Sequence, residues 1–288
     1  MKSVPFEYRA PATLEETLAL LGKPGANVVP LAGGQSLLPL LALRQVRPAT
    51  VLDLNRVPGL AGVEITDEVV RIGALTRLRA LVESAPLRAA LPVLPETAAQ
   101  VANRQIRHRS TLGGSLCHAD PTAQLPAVAV ALEARLWLRS ARAERSVLAQ
   151  DFFAGARTTA RRRNELLVRV EFPRTPGRHC RFEAVTRRGR AGFPLIGLCL
   201  AVSLAGSVVT DARLAASGIA DRPRRLWEAE RALTGRRLDG DLAEVLDAAS
   251  AEADPSSDLH GSAEYRSHLL RTVIRRAAAR LATEGSAP

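Results

Sequence analysis

Two stretches of the chain place a pair of glycines next to a small hydroxyl residue: "LAGGQSLLP" (31–39) and "STLGGSLCHADP" (110–121). Bare backbone of this kind can aim successive N–H groups at an anion, and the adjoining hydroxyls, Ser36 and Ser115, add a donor. A pair of such loops from separate parts of the chain suits a pyrophosphate, whose oxygens sit on two phosphorus atoms. The commoner glycine-rich chemistries are excluded. The sequence holds no G-x-G-x-x-G dinucleotide fingerprint and no G-x-S-x-G elbow, and with Lys2 and Lys23 its only lysines, a P-loop is ruled out. Catalytic side chains are scarce. Cys117, His118 and Asp120 lie in the second stretch, but a lone C-H-x-D offers no spacing for a metal. His118 and Asp120 are therefore read as local hydrogen-bonding groups. No acid–base pair or triad can be argued, and neither a catalytic residue nor a metal ligand is assigned.

The elements around these loops follow from patterning. "TLEETLALLG" (13–22) reads as a helix with Thr13 as N-cap, Glu16 completing a capping box and Gly22 as its stop. "NVVPLAGG" is a strand running into the first glycine turn, "QSLLPLLALRQV" is helical despite Pro39, and "TVLDL" (50–54) is a second strand. "GVEITDEVVRIGAL" reads as a hairpin turning at Asp67 and Glu68. Residues 76–101 form two or three helical pieces broken at Pro86, Pro92 and Pro95. Arg109 to Pro121 is read as a loop, "TAQLPAVAVALEA" as a helix, and "RLWLRS" and "NELLVRVEFP" as strands. Strand-like runs continue to about Ser217, followed by helical regions at 223–253 and 262–283.

Length and composition set the outer bounds. With 288 residues and 47% hydrophobic content, the chain has ample material for a core and suggests two domains, with a composition break at 173–180. The uncharged run Ala191 to Thr210 is long enough to cross a bilayer, yet Pro194 and its glycines favour a buried hairpin edge. The net charge of +11 invites nucleic acid as a partner, but it is almost all arginine, and ten aromatic residues make a poor stacking platform. Solvated arginine faces are the preferred reading, with docking of an acidic partner subunit a further one. Cys117, Cys180 and Cys199 form no cluster spacing. With no signal-like N-terminus, a cytoplasmic location is expected.

"AGGQSLLP", "RQIRHRSTLGGSLCHADPTAQLPAV" and "DLHGSAEYRSHLLRTVIRRA" together resemble, in order and separation, the FAD-binding medium subunit of the molybdenum hydroxylases, the carbon monoxide and xanthine dehydrogenase family. The likeness runs almost end to end. It implies an α+β fold: a two-lobed FAD-binding domain of the vanillyl-alcohol-oxidase (PCMH) type over residues 1–175, with lobes of about 1–57 and 58–175. A C-terminal domain with a small antiparallel sheet and helices would occupy 176–288. It also implies FAD held non-covalently, its pyrophosphate between Leu31, Ala32, Gly33, Gly34, Gln35, Ser36 and Leu37 on one side and Thr111, Leu112, Gly113, Gly114 and Ser115 on the other. Val101 and Ala102 would lie along the cofactor, Leu167 would approach its ring end, and Gln124 stands where the family usually has an Asp for the ribose. The family's Lys near "RFEAVTRRGR" is missing. Partners implied are a molybdopterin-binding large subunit and a small subunit with two [2Fe–2S] clusters, assembled as a dimer of heterotrimers. A stand-alone FAD oxidase of the same fold is the alternative, and an arginine-rich nucleic-acid-binding protein a more remote one.

Overall fold

The computed structural model describes residues 2–190 and 192–284, with the side chains of 188–190 and 284 outside the description. The chain opens with a short strand β1 (Glu7–Arg9), helix α1 (Leu14–Leu21), strand β2 (Val28–Leu31), helix α2 (Leu37–Ala42) and strand β3 (Thr50–Asp53). The three strands form a parallel sheet in the order β1-β3-β2. Thr13 caps α1 by accepting from the Glu16 N–H at 3.1 Å, as the capping signature anticipates, while the Glu16 carboxylate reaches back to the Ala12 N–H, one residue before the Thr13 N–H that a capping box uses. Leu18 and Leu21 of α1 pack on Leu52 and Leu54. Leu31 lies in register with Asp53, so the first glycine loop leaves the carboxyl end of β2 beside the carboxyl end of β3. Crevices of this kind, outside the carboxyl ends of parallel strands, are where ligands settle in open α/β sheets.

An antiparallel hairpin, β4 (Val63–Ile65) and β5 (Val69–Gly73), precedes six helices: α3 (Leu78–Glu83), α4 (Ala85–Ala90), α5 (Val93–Gln100), α6 (Arg104–Arg109), α7 (Leu112–His118) and α8 (Gln124–Ala131). Pro86 falls in the first turn of α4 and Pro95 in the first turn of α5, where a missing N–H costs nothing, so neither proline breaks its helix. Strands β6 (Arg135–Arg139) and β7 (Glu144–Leu148) follow, then a short helix α9 (Ala149–Phe152), a small ribbon of β8 (Phe153–Gly155) and β9 (Thr158–Thr159), and β10 (Leu166–Pro173). The second sheet runs β4-β5-β10-β6-β7 and is antiparallel.

Beyond it lie β11 (Arg178–Arg190), β12 (Pro194–Ala205), β13 (Val208–Ser217) and β14 (Arg224–Arg225), in one antiparallel sheet, then α10 (Trp227–Leu233), α11 (Ala243–Glu252) and α12 (Ala263–Glu284). The apolar run that could have been a membrane span is strand β12 with the start of β13. Ile196, Leu198, Leu200 and Val202 face the core shared with α10–α12, while Cys199 and Ala201 face the core containing α5 and α8. A strand buried on both faces reads as a continuous apolar run because neither side needs polar residues. No helix among the described residues is long and apolar enough to cross a membrane. Helix α8 is likewise buried along its whole length.

The arginines are only partly solvated faces. Glu165, nearly buried, accepts from Arg145 Nε at 2.7 Å and Nη2 at 2.9 Å and from the Arg162 N–H at 2.8 Å. Burial alone would push its carboxyl up, but these donors hold it below the ordinary carboxylate value of 4.5. A depressed carboxylate stabilises the fold above its unfolded value, and that stability is lost as pH falls through the folded value. Glu165→Gln is therefore expected to cost roughly 2 kcal/mol at neutral pH. Chemical denaturation across an acid series checks this: the gap between variant and parent should close below the ordinary carboxylate range.

Candidate functional site

The structure brings the two glycine stretches into contact. A Cβ on Gly33 would lie 2.3 Å from the Arg109 carbonyl oxygen and 2.9 Å from the Ser110 Cα, so the absence of a side chain is what lets the loops touch. One on Gly114 would lie 3.8 Å from the Ala32 Cβ. Gly34 has φ +76°, a left-handed conformation that suits glycine and turns the chain between β2 and α2. Arg77 and Thr111 form an isolated antiparallel bridge, closed by bonds from the Leu78 N–H to the Ser110 carbonyl and from the Leu112 N–H to the Thr76 carbonyl.

The loops differ in what they offer. The backbone N–H groups of Gly33, Gly34, Gln35 and Ser36 make no hydrogen bond within the chain among the described residues, nor do the hydroxyls of Ser36 and Ser115. A run of four such donors after a strand is the arrangement an anion requires. The second stretch is not the loop that its glycines suggest: it forms helix α7. Thr111 accepts from the Gly114 N–H at 3.0 Å as N-cap, and the N–H groups of Leu112, Gly113 and Ser115 bond to the carbonyls of Thr76, Ala74 and Thr111. Capping by Thr111 offsets the helix-weakening glycines, and Gly113 is required because a Cβ there would meet that of Ala74 at 2.6 Å. Its donors are spent, so this stretch offers a close-packed wall and the Ser115 hydroxyl.

The remaining expected residues lie outside the two glycine stretches. Val101 ends α5, and Ala102 has φ +46°, its carbonyl and that of Val101 both accepting from Arg107. Gln124 is buried and donates from Nε2 to the Gln100 carbonyl at 3.3 Å, which joins it to this corner. Leu167 is buried in the main core opposite Leu138, and the adjoining Val168 carbonyl accepts from Ala74, the residue against which Gly113 packs. Asp120 bonds to the N–H and hydroxyl of Thr122, which makes it a turn support. Burial holds His118 below its usual value, and pushes the Cys117 thiol up to about 11, which removes it as a thiolate at neutral pH. No group of three metal-ligating side chains occurs among the described residues.

Sequence reasoning missed a polar network on the rim of the site. Asn55 donates from Nδ2 to the Ala32 carbonyl at 3.0 Å and to the Asp53 carboxylate. Arg77 donates to the Asn55 Oδ1 and to the Arg109 carbonyl, and the Tyr8 hydroxyl donates to Asp53. Burial pushes the Asp53 carboxyl up, but the bonds from Tyr8 and Asn55 and the charge of Arg109 outweigh it and hold it below the usual range. The available signal was "LDLN", a polar residue ending the strand that pairs with β2 and another just past it.

Residues 4–175 match the family model described as the FAD binding domain in molybdopterin dehydrogenase, and residues 181–281 match the CO dehydrogenase flavoprotein C-terminal domain. The glyceraldehyde dehydrogenase medium chain of Sulfolobus acidocaldarius is 35% identical over 273 residues, covering 94% of this chain and 96% of the relative. The carbon monoxide dehydrogenase medium chain of Hydrogenophaga pseudoflava is 33% identical over 274 residues, covering 94% and 95%. Among solved structures, carbon monoxide dehydrogenase from Hydrogenophaga pseudoflava superposes with a TM-score of 0.94 at 34% identity, covering 100% of both chains. Quinoline 2-oxidoreductase from Pseudomonas putida 86 gives 0.94 at 33% identity, also covering 100% of both. Two domain models in order, near-complete coverage and the glycine crevice converge: the chain belongs to the FAD-binding medium-subunit family of the molybdenum hydroxylases, as an oxidoreductase component.

Proposed function

We propose that this chain holds FAD non-covalently and serves as the flavin end of an electron path in a complex with a molybdopterin-binding large subunit and a [2Fe–2S] small subunit. The observation that carries the cofactor site is the run of four unspent N–H groups, Gly33 to Ser36, in contact with the capped glycine helix start at Thr111 to Ser115. These residues fit a pyrophosphate: donors come from the first loop, and the second contributes a wall without bulk plus the Ser115 hydroxyl. Leu31 and Leu37 bound the first loop, with Leu112 and Gly113 fixing the second against Thr76 and Ala74. Val101, Ala102 and Gln124 would line the cofactor further along, and Leu167 would approach its ring end. When bound, FAD supplies an acceptor that takes electrons singly and can release them in pairs. The protein's own work is binding, orientation and exclusion of water, which accounts for a site with no acid–base pair. The chosen acceptor of those electrons is external to the chain, and the partners assemble with it as a dimer of heterotrimers.

The test is direct. The chain, purified with its two partner subunits, should show a flavin spectrum and release FAD on extraction; a preparation with partners present and no flavin overturns the reading. Gly114→Val sharpens it, because its Cβ would lie 2.7 Å from the Thr111 Oγ1 and its methyl groups would enter the space beside Ala32. FAD content should fall roughly tenfold or more while circular dichroism shows a folded chain. Full occupancy in this variant would remove the second stretch from the site.

A further inference from the structure

We infer that Asn55 and Arg77 are positioning residues, a latch that orients the donors of the first glycine loop and fixes its spacing from the second; the inference rests on the flavin reading above. The Asn55 amide is fully committed: its oxygen accepts from Arg77, and its nitrogen donates to the Ala32 carbonyl and to Asp53. That pattern fixes which way round the amide lies, since only the nitrogen can face a carbonyl and a carboxylate. Because a trans peptide is planar, holding the Ala32 carbonyl on one side directs the Gly33 N–H to the other, away from the latch. Gly33 carries the first of the four unspent donors. A second bond, from Gln35 Nε2 to the Gly33 carbonyl at 3.3 Å, sets the next peptide in the same manner.

Arg77 ties this orientation to the opposite wall. The same guanidinium grips the Arg109 carbonyl, the oxygen that Gly33 approaches too closely to tolerate a Cβ. One side chain therefore bridges Asn55, which holds the first loop, to Arg109, two residues before the Thr111 cap of α7. Its own position is set by its place at the start of α3 and by the bridge to Thr111. Neither Asn55 nor Arg77 is part of a glycine stretch, and each acts through backbone it holds.

The experiment titrates the full chain, stripped of flavin, with FAD and separately with ADP, which carries the pyrophosphate without the isoalloxazine ring. Arg77→Met and Asn55→Ala should each weaken both ligands roughly tenfold, and the double variant should lose little more than either alone, since the two bonds act as one device. Arg77→Lys should recover part of the loss. Asn55→Asp, which keeps an acceptor for Arg77 but turns an oxygen toward the Ala32 carbonyl, should lose at least as much as Asn55→Ala. The denaturation midpoint of the flavin-free chain should barely move in Arg77→Met, Arg77→Lys and Asn55→Ala. Unchanged affinities, losses that add independently, or losses that follow a fall in the flavin-free midpoint would overturn the latch while leaving the flavin reading intact. A parent chain that takes up neither FAD nor ADP overturns both.

Discussion

Gly33→Ala is expected to strip the chain of most of its FAD affinity and to destabilise it even without the cofactor. Its added methyl would lie 2.3 Å from the Arg109 carbonyl oxygen and 2.9 Å from the Arg109 carbonyl carbon, which are main-chain atoms at a helix junction and not the tip of a flexible side chain. Relief requires separating the two loops by about an ångström, and overpacking of this kind costs roughly 3 kcal/mol. The same separation removes the match between the first loop's donors and the opposite wall. A loss of about a hundredfold in FAD affinity corresponds to under 3 kcal/mol, well within what such a displacement removes. Gly177→Ala serves as the control, because Gly177 also demands a substitution-sensitive backbone, φ +75°, but its Cβ would meet nothing. That control should lose only the strain cost of about 1 kcal/mol and retain full flavin content. Flavin stoichiometry and urea denaturation of both variants settle the comparison, and equal behaviour would mean that the two loops do not touch.

The second large effect is expected from Arg225→Met. Arg225 is buried, and its Nε donates to Glu230 Oε1 at 2.7 Å while Nη1 donates to Glu133 Oε1 at 2.7 Å. Glu230 is buried too and also accepts from the Leu214 N–H at 2.8 Å, so the pair holds β13 and β14 to α10. Removing the arginine leaves a carboxylate with no counter-charge of that quality, which costs about 3–5 kcal/mol. Burial already pushes the Glu230 carboxyl above its ordinary value, against the pull of Arg225. Without Arg225 it rises further, so the folded variant binds a proton that the unfolded chain gives up. Folded-state protonation of this sense makes the variant's deficit largest at neutral pH and smaller as the pH falls through the raised value. The double variant Arg225→Met/Glu230→Gln should recover part of the loss at neutral pH. Denaturation midpoints at several pH values check both statements, and a deficit independent of pH would show that lost packing against Trp227, not charge, dominates.

Much of this architecture was legible because it rests on short-range rules. Helix α1 followed from Thr13, Glu16 and Gly22, and the β4–β5 hairpin from alternation around Asp67 and Glu68. The nature of β12 followed from proline and glycine in an otherwise membrane-like run. Strand β1 was not legible, since "EYR" has no apolar face of its own and is defined by its parallel pairing with residues 50–52. Helix α7 was hidden for a different reason. Two glycines outweigh a helical pattern in any local reading, and what reverses the balance is the Thr111 cap together with Ala74 packed against Gly113, a partner 39 positions away in sequence. Sequence separation also hid the latch: Asn55 and Arg77 are unremarkable polar residues until the sheet brings β2 and β3 into register. Gln124 was singled out at its position, yet its contact with the Gln100 carbonyl emerges only once α8 is packed against α5.

Helix α8 sits in a single core built from both halves of the chain, touching α5 and also β12 and β13. For a chain emerging from the ribosome, this means that the first 175 residues cannot complete their burial as they appear. The outward side of α8, all apolar from Leu125 to Ala131, stays uncovered until at least residue 217 has been made. The glycine loops and the C-terminal sheet are thus expected to fold in one cooperative event, and a truncation at the apparent boundary is expected to leave a sticky intermediate.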